Sequence, residues 1–275
     1  MSLPQNPRSV VTGGGGGLGR AICLELAKRG ARLLVADIRK ESAEETASLA
    51  RDLGAKEAFA VASDVSKSDD VAELAADADA RFGGTDLLVN NAGVATSGRM
   101  GEVSLADWEW IVGINLWGVV YGCHHFVPRM KKQGSGHVLN VASAAGLLCA
   151  PEMGPYNVTK AGVVALSETL YSELAAFGIG VTVLCPMFFK TGIVENARGL
   201  TDDDRALGQS LLERSKLDAN DVARIALGAA DKRQLYAVPM WDGRWLWRLK
   251  RTVPEQYARL ATGVLAKVRK RRAAK

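Results

Sequence analysis

Ser9-Val10-Val11-Thr12-Gly13-Gly14-Gly15-Gly16-Gly17-Leu18-Gly19 reads as a short β-branched strand running into a glycine turn, with an amphipathic helix over residues 20–29 behind it. Strand, glycine turn and helix start together make an anion site. Glycine lets the backbone approach a pyrophosphate closely, and the unpaired N–H groups of a helix start face it. The run points to a dinucleotide but leaves its register open. Gly14-x-Gly16-x-x-Gly19, Gly13-x-x-Gly16-x-x-Gly19 and Thr12-Gly13-x-x-x-Gly17-x-Gly19 all fit. Arg32-Leu33-Leu34-Val35-Ala36-Asp37 is the next strand, and its terminal acid comes 18 residues after Gly19. That is close to the spacing of about 20 residues expected for the carboxylate that takes the adenosine ribose hydroxyls. A carboxylate there repels a 2′-phosphate, and no Lys or Arg lies among Gly13–Gly17, so NAD is expected over NADP, with Arg39 as the opposing signal. The plainer alternative makes Asp37 a turn or helix cap.

Outward from this unit the chain alternates. Strands are predicted at 58–61, 86–90, 138–142, 180–185 and 235–238, and helices at 41–53, 66–82, 105–132, 155–177 and 218–232. Ser66-x-x-Asp69 looks like a capping box, and 187–215 reads as irregular. This alternation specifies an α/β chain: a single-domain, doubly wound Rossmann fold with a seven-stranded parallel sheet flanked by helices. The domain is expected over residues 1–240, with 241–275 as a helical extension.

The second informative stretch is Ser143 to Lys160. Ser143 follows an apolar strand, at the edge where open α/β sheets bind ligands. Tyr156 and Lys160 are four apart, so a helix starting near Pro155 puts both on one face. An ammonium beside a phenol favours the phenolate and lowers a pKa that is ordinarily about 10. Tyr156 is therefore a candidate general acid/base, with Ser143 able to polarise a carbonyl. Asn115 sits within an apolar helix and needs a hydrogen-bond partner if buried.

Charge is divided unevenly. The whole chain carries +5, but residues 241–275 hold eleven Lys/Arg against Asp242 and Glu255, a net +9 that leaves −4 for residues 1–240. A mildly acidic body argues against nucleic acid as a partner. The four cysteines are scattered without a CxxC pair, so neither a metal site nor a disulfide framework is expected. The first residues lack an apolar signal region, which points to a cytoplasmic location.

Taken as an ordered set, Thr12-Gly13-x-x-x-Gly17-x-Gly19, Asp64-Val65, Asn90-Asn91-Ala92-Gly93, Asn115, Ser143 and Tyr156-x-x-x-Lys160 strongly resemble the short-chain dehydrogenase/reductase family over residues 9 to about 240. The resemblance settles the glycine register. It implies an NAD(P)-dependent alcohol dehydrogenase or ketone reductase in which Tyr156 is the acid/base and Ser143 holds the substrate oxygen. Lys160 would bind the nicotinamide ribose and depress the Tyr156 pKa, and Asn115 would hold a water in a proton relay to Lys160. It also implies a cofactor site of Gly13, Gly17, Leu18, Gly19 and Asp37. Asp64 and Val65 would flank the adenine, Asn90, Asn91, Ala92 and Gly93 would line the ribose, and Thr191 would touch the carboxamide. Pro186-Met187 departs from the usual Pro-Gly of the family.

Ala95, Leu147, Leu148, Met153, Met187, Phe188 and Phe189 are expected around the substrate, which favours an apolar secondary alcohol or ketone; among them, Ser143, Met153, Met187 and Phe188 are the candidate substrate contacts. Family members usually form homodimers or homotetramers. The basic, tryptophan-bearing tail either covers the body or lies on an anionic membrane surface. A different class of function, an NAD-binding scaffold or membrane attachment protein, is the alternative, and it has no use for the Ser143/Tyr156/Lys160/Asn115 set.

Overall fold

The computed structural model describes residues 2–273 apart from Asn196, and the side chains of Val194, Asp203, Asp204 and 264–273 lie outside the description. Seven strands form one sheet: β1 (Arg8–Thr12), β2 (Arg32–Asp37), β3 (Glu57–Ala62), β4 (Leu87–Asn90), β5 (Gly136–Val141), β6 (Ile179–Leu184) and β7 (Tyr236–Ala237). Their spatial order is β3-β2-β1-β4-β5-β6-β7, and every pairing is parallel. The order reverses between β1 and β4, which opens a crevice at their C-terminal ends.

Eleven α-helices are described: α1 (Gly17–Ala27), α2 (Lys40–Asp52), α3 (Ser68–Phe82), α4 (Leu105–Val112), α5 (Gly118–Gln133), α6 (Ala144–Leu148), α7 (Gly154–Leu174), α8 (Asp202–Glu213), α9 (Ala219–Asp231), α10 (Trp241–Thr252) and α11 (Pro254–Ala273). Successive strand residues face opposite sides, so the sheet feeds two cores. Val10, Leu34, Leu88 and Val138 pack with α3, α5 and α7. Val11, Leu33, Val89 and Leu139 pack with α1, α2 and α9.

Several local expectations need correction. The helix expected over 105–132 is interrupted by a π-helical turn at Gly113–Trp117, which contains Asn115. Ser66 caps nothing: α3 begins at Ser68 behind Lys67, and Ser66 donates its amide and hydroxyl to Asp64 Oδ1. The stretch 187–215, expected to be irregular, contains α8 and a 3-10 turn at Gly192–Val194.

The tail packs on the body. Leu246, Trp247 and Tyr257 lie against the core on the α7 side of the sheet, and Trp247 meets the Tyr236 ring at 4.6 Å. The basic side chains that motivated a membrane surface, Lys267, Arg269, Lys270, Arg271 and Arg272, fall outside the described ones. Among the described residues no helix is long and apolar enough to cross a membrane.

Candidate active site

β5 delivers Ser143 to the C-terminal edge of the sheet, where it caps α6. Its Oγ accepts the Ala145 amide at 3.1 Å. Tyr156 lies in the first turn of α7 and is buried, with Ser143 placed to favour its ionised form. One turn on, Lys160 is buried too, and its Nζ donates to the Val141 carbonyl at 2.9 Å while lying 5.8 Å from the centre of the Tyr156 ring. Backbone of the β4 loop closes the other side. A Cβ on Gly93 would sit 3.4 Å from Lys160 Nζ and 3.2 Å from Asn115 Oδ1, so the main chain passes close to both side chains.

Burial pushes the Tyr156 phenol above its ordinary value, and the Ser143 hydrogen bond opposes that shift. Burial also lowers Lys160 from 10.5 to about 8. The ammonium donates to the Val141 carbonyl, and the Ser143 hydroxyl favours the ionised phenol.

Asn115 is fully buried, and its amide is committed to backbone. Oδ1 accepts the Val94 N–H and Nδ2 donates to the Val94 carbonyl, both at 2.8 Å, with Thr159 Oγ1 at 3.4 Å. The side chain therefore clamps the β4 loop. A buried amide must satisfy its polar groups, and Val94 does so.

The glycine turn is built to be narrow. Gly13 and Gly17 have φ of +62° and +51°. A Cβ on Gly19 would lie 2.1 Å from the Gly13 carbonyl oxygen, and one on Gly13 would lie 2.8 Å from Ala92 Cα. Asn91 Nδ2 ties the turn to β4 through the carbonyls of Thr12 and Gly13. Leu18 is buried in the α1 core. Asp37 Oδ2 accepts the Gly15 amide and Oδ1 the Arg39 amide, so the acid does cap a turn while standing beside the glycines. Thr191 Oγ1 reaches within 3.3 Å of where a Gly17 Cβ would be, spanning from the β6 loop to the start of α1.

Three predicted cofactor residues sit differently. Asn90 turns inward, donating to Asn140 Oδ1 at 2.9 Å, in a chain that continues to Ser167. Val65 packs on Gly118 of α5, where an added Cβ would meet its Cγ2 at 2.9 Å. Asp64 Oδ1 accepts the Ser66 amide and hydroxyl.

On the substrate side, the loops after β4, β5 and β6 are joined. The Glu152 carbonyl accepts Ser97 Oγ and the Gly98 amide, while the Ser97 amide donates to the Arg198 carbonyl. Met153 pairs with Gly98 in this rim, and Phe188 is exposed. Phe189 is buried in the α9-side core and is not a rim residue. Met187 is directed to the tail: a Cβ on Gly243 of α10 would sit 2.9 Å from its sulfur. The side chain that replaces the expected glycine thus packs under the extension. Among the described residues no group of three or more His, Cys, Asp or Glu is arranged to hold a metal.

The model of the family described as short chain dehydrogenase matches residues 8–200. The chain belongs to this family. Short-chain dehydrogenases are oxidoreductases. A 3-oxoacyl-(acyl-carrier-protein) reductase of Staphylococcus epidermidis is 34% identical over 82% of this chain and 93% of its own length. A short-chain dehydrogenase/reductase from Burkholderia phymatum, solved in complex with NAD, superposes with a TM-score of 0.83 at 36% identity, over 90% of this dehydrogenase and 94% of that chain. A short-chain dehydrogenase from Streptomyces avermitilis matches over 96% of this chain and 94% of its own, with a TM-score of 0.75 and 27% identity.

Sequence reasoning missed Thr12, whose Oγ1 accepts the Asn91 and Ala92 amides. It also missed Thr159 behind Asn115, and Lys250 and Tyr257 of the tail. Thr12 stood in the glycine motif and could have been found there. The tail residues gave no signal, since their partners are carbonyls a hundred residues away.

Proposed function

We propose that this dehydrogenase is an NAD(H)-linked enzyme interconverting an apolar secondary alcohol and its ketone. The observation that carries the reading is the convergence of Ser143, Tyr156 and Lys160 at the end of β5, facing Gly93. The glycine turn fits a dinucleotide: a Cβ on Gly16 would meet nothing within 4 Å, so the helix start is open to a phosphate. NAD is the choice because the Asp37 carboxylate stands at that turn and the nearby Arg20 is paired with Glu45. The similarity to a structure holding NAD supports it.

When bound, NAD supplies the hydride acceptor or donor. The protein manages the proton. In oxidation the Tyr156 oxygen takes the alcohol proton, and in reduction the phenol returns it. Ser143 Oγ donates to the substrate oxygen and stabilises its developing charge. Lys160 binds ribose hydroxyls and keeps positive charge near the phenol. Asn115 keeps Gly93 and Val94 against Lys160, so it is a positioning residue. The body ends near residue 240, and 241–275 is an extension that packs on it through Leu246, Trp247 and Tyr257. The enzyme assembles as a homodimer or homotetramer, a reading supported by the exposed Trp117 and Val158 next to and on its two long helices.

Tyr156→Phe is expected to bind NADH normally, read by fluorescence, and to lose turnover by about 100- to 10,000-fold. A variant that turns over like wild type removes Tyr156 from the chemistry. The substrate panel pairs apolar secondary alcohols with a 3-oxoacyl thioester, because one relative is named for reducing such a group.

A further inference from the structure

α6 is five residues long and runs directly from Ser143. A helix this short cannot satisfy its own last carbonyls. Here the tail satisfies them. Lys250 Nζ of α10 donates to the Leu147 carbonyl at 2.8 Å, and the Tyr257 hydroxyl of α11 donates to the Leu148 carbonyl at 3.1 Å. The other end of α6 is also tied to the tail. The Ala144 amide donates to the Pro186 carbonyl at 2.8 Å, and the next residue, Met187, packs under Gly243 with its amide 3.5 Å from Met240 Sδ. Trp247 completes the seat by packing at a tilt against Tyr236, whose hydroxyl bonds Glu168 of α7, the helix that carries Tyr156 and Lys160.

We propose that the extension is a strap for the active site, with Lys250 and Tyr257 as positioning residues that hold α6, and through it Ser143, in register with Tyr156. The catalytic part rests on the reading of Ser143 and Tyr156 given above. α6 is thus gripped at both ends by segments that the tail covers. Its N-cap hydroxyl is the group that must meet the substrate oxygen, and small displacements of such a group are costly to rate.

The test uses the full-length protein carrying Lys250→Met and Tyr257→Phe together, which keeps the packing bulk and removes both donors, with Lys250→Arg as the conservative control. Hydrogen exchange of the α6 amides is expected to quicken about ten-fold in the double variant and to stay near wild type in Lys250→Arg. With NAD and the best apolar secondary alcohol of a panel, kcat is expected to fall roughly ten-fold while NADH affinity changes by less than about two-fold. Unchanged exchange at α6 overturns the strap, as does unchanged kcat in a double variant whose α6 has loosened. If wild type neither binds NADH nor oxidises any member of the panel, the proposed function fails, and the exchange measurement still decides whether the tail holds α6.

Discussion

Lys160 is an ammonium inside the protein whose one hydrogen-bond acceptor within reach is a backbone carbonyl. Because burial lowers its pKa from 10.5 to about 8, the unfolded chain holds this proton more tightly than the folded one between those values. Its contribution to stability is therefore least favourable below pH 8 and improves as pH rises through the window. Tyr156 runs oppositely: its raised pKa makes the folded state lose ground once the unfolded phenol ionises, above its ordinary value of 10.0. Between pH 7 and 9.5, urea unfolding should show wild type gaining about 2 kcal/mol relative to Lys160→Met. An equal pH response in both proteins would place the ammonium in water. Asn115→Leu should destabilise by about 2 kcal/mol, since it leaves both Val94 backbone groups without their partner; calorimetry reads it, and an unchanged Tm would deny the clamp. The residues Ser143, Tyr156 and Lys160 were legible because strand-end position and i,i+4 spacing are local properties. Their hydrogen-bond partners were not. Whether Lys160 reaches Val141 and Asn115 reaches Val94 depends on contacts 19 and 21 residues apart.

Elements repeat the pattern at larger size. β1, the glycine turn and α1 follow from consecutive residues, and the turn's tolerance to substitution follows from its geometry. Gly16→Ala should leave the unfolding free energy nearly unchanged, because its Cβ meets nothing. Gly19→Ala should cost about 3 kcal/mol or more, because its Cβ falls 2.1 Å from a carbonyl oxygen. Equal stabilities for the two variants would contradict the described turn. Of the three local misreadings, α8 within 187–215 among them, two have a plain physical account. The Ser66 box failed because α3 starts at Ser68, which puts Lys67 and not Ser66 at the cap position. The π-helical turn at Gly113–Trp117 left no trace in the apolar pattern, since an extra residue in a helical turn changes phase without changing composition.

For the molecule as a whole, the extension joins the core on the α7 side of the sheet. Trp247→Ala should cost about 2 kcal/mol, since it strips an aromatic contact from Tyr236 and uncovers the seat of α10. A tail that floated free would tolerate the change. Val158 is exposed on α7 close to Tyr156, and Val158→Glu should shift the sedimentation coefficient of the proposed homo-oligomer toward the monomer while α7 stays folded. A species already monomeric in wild type would end the assembly reading.

By itself the sequence determined the doubly wound sheet, the dinucleotide turn and the chemical trio, because each is written in short-range periodicity and spacing. Tertiary structure alone decided that Asn90 and Val65 serve the interior, that Asn115 clamps a loop, and that Met187 belongs to the tail. Those assignments turn on which surfaces meet once strands far apart in the chain are paired, and residue spacing along the chain carries no record of that.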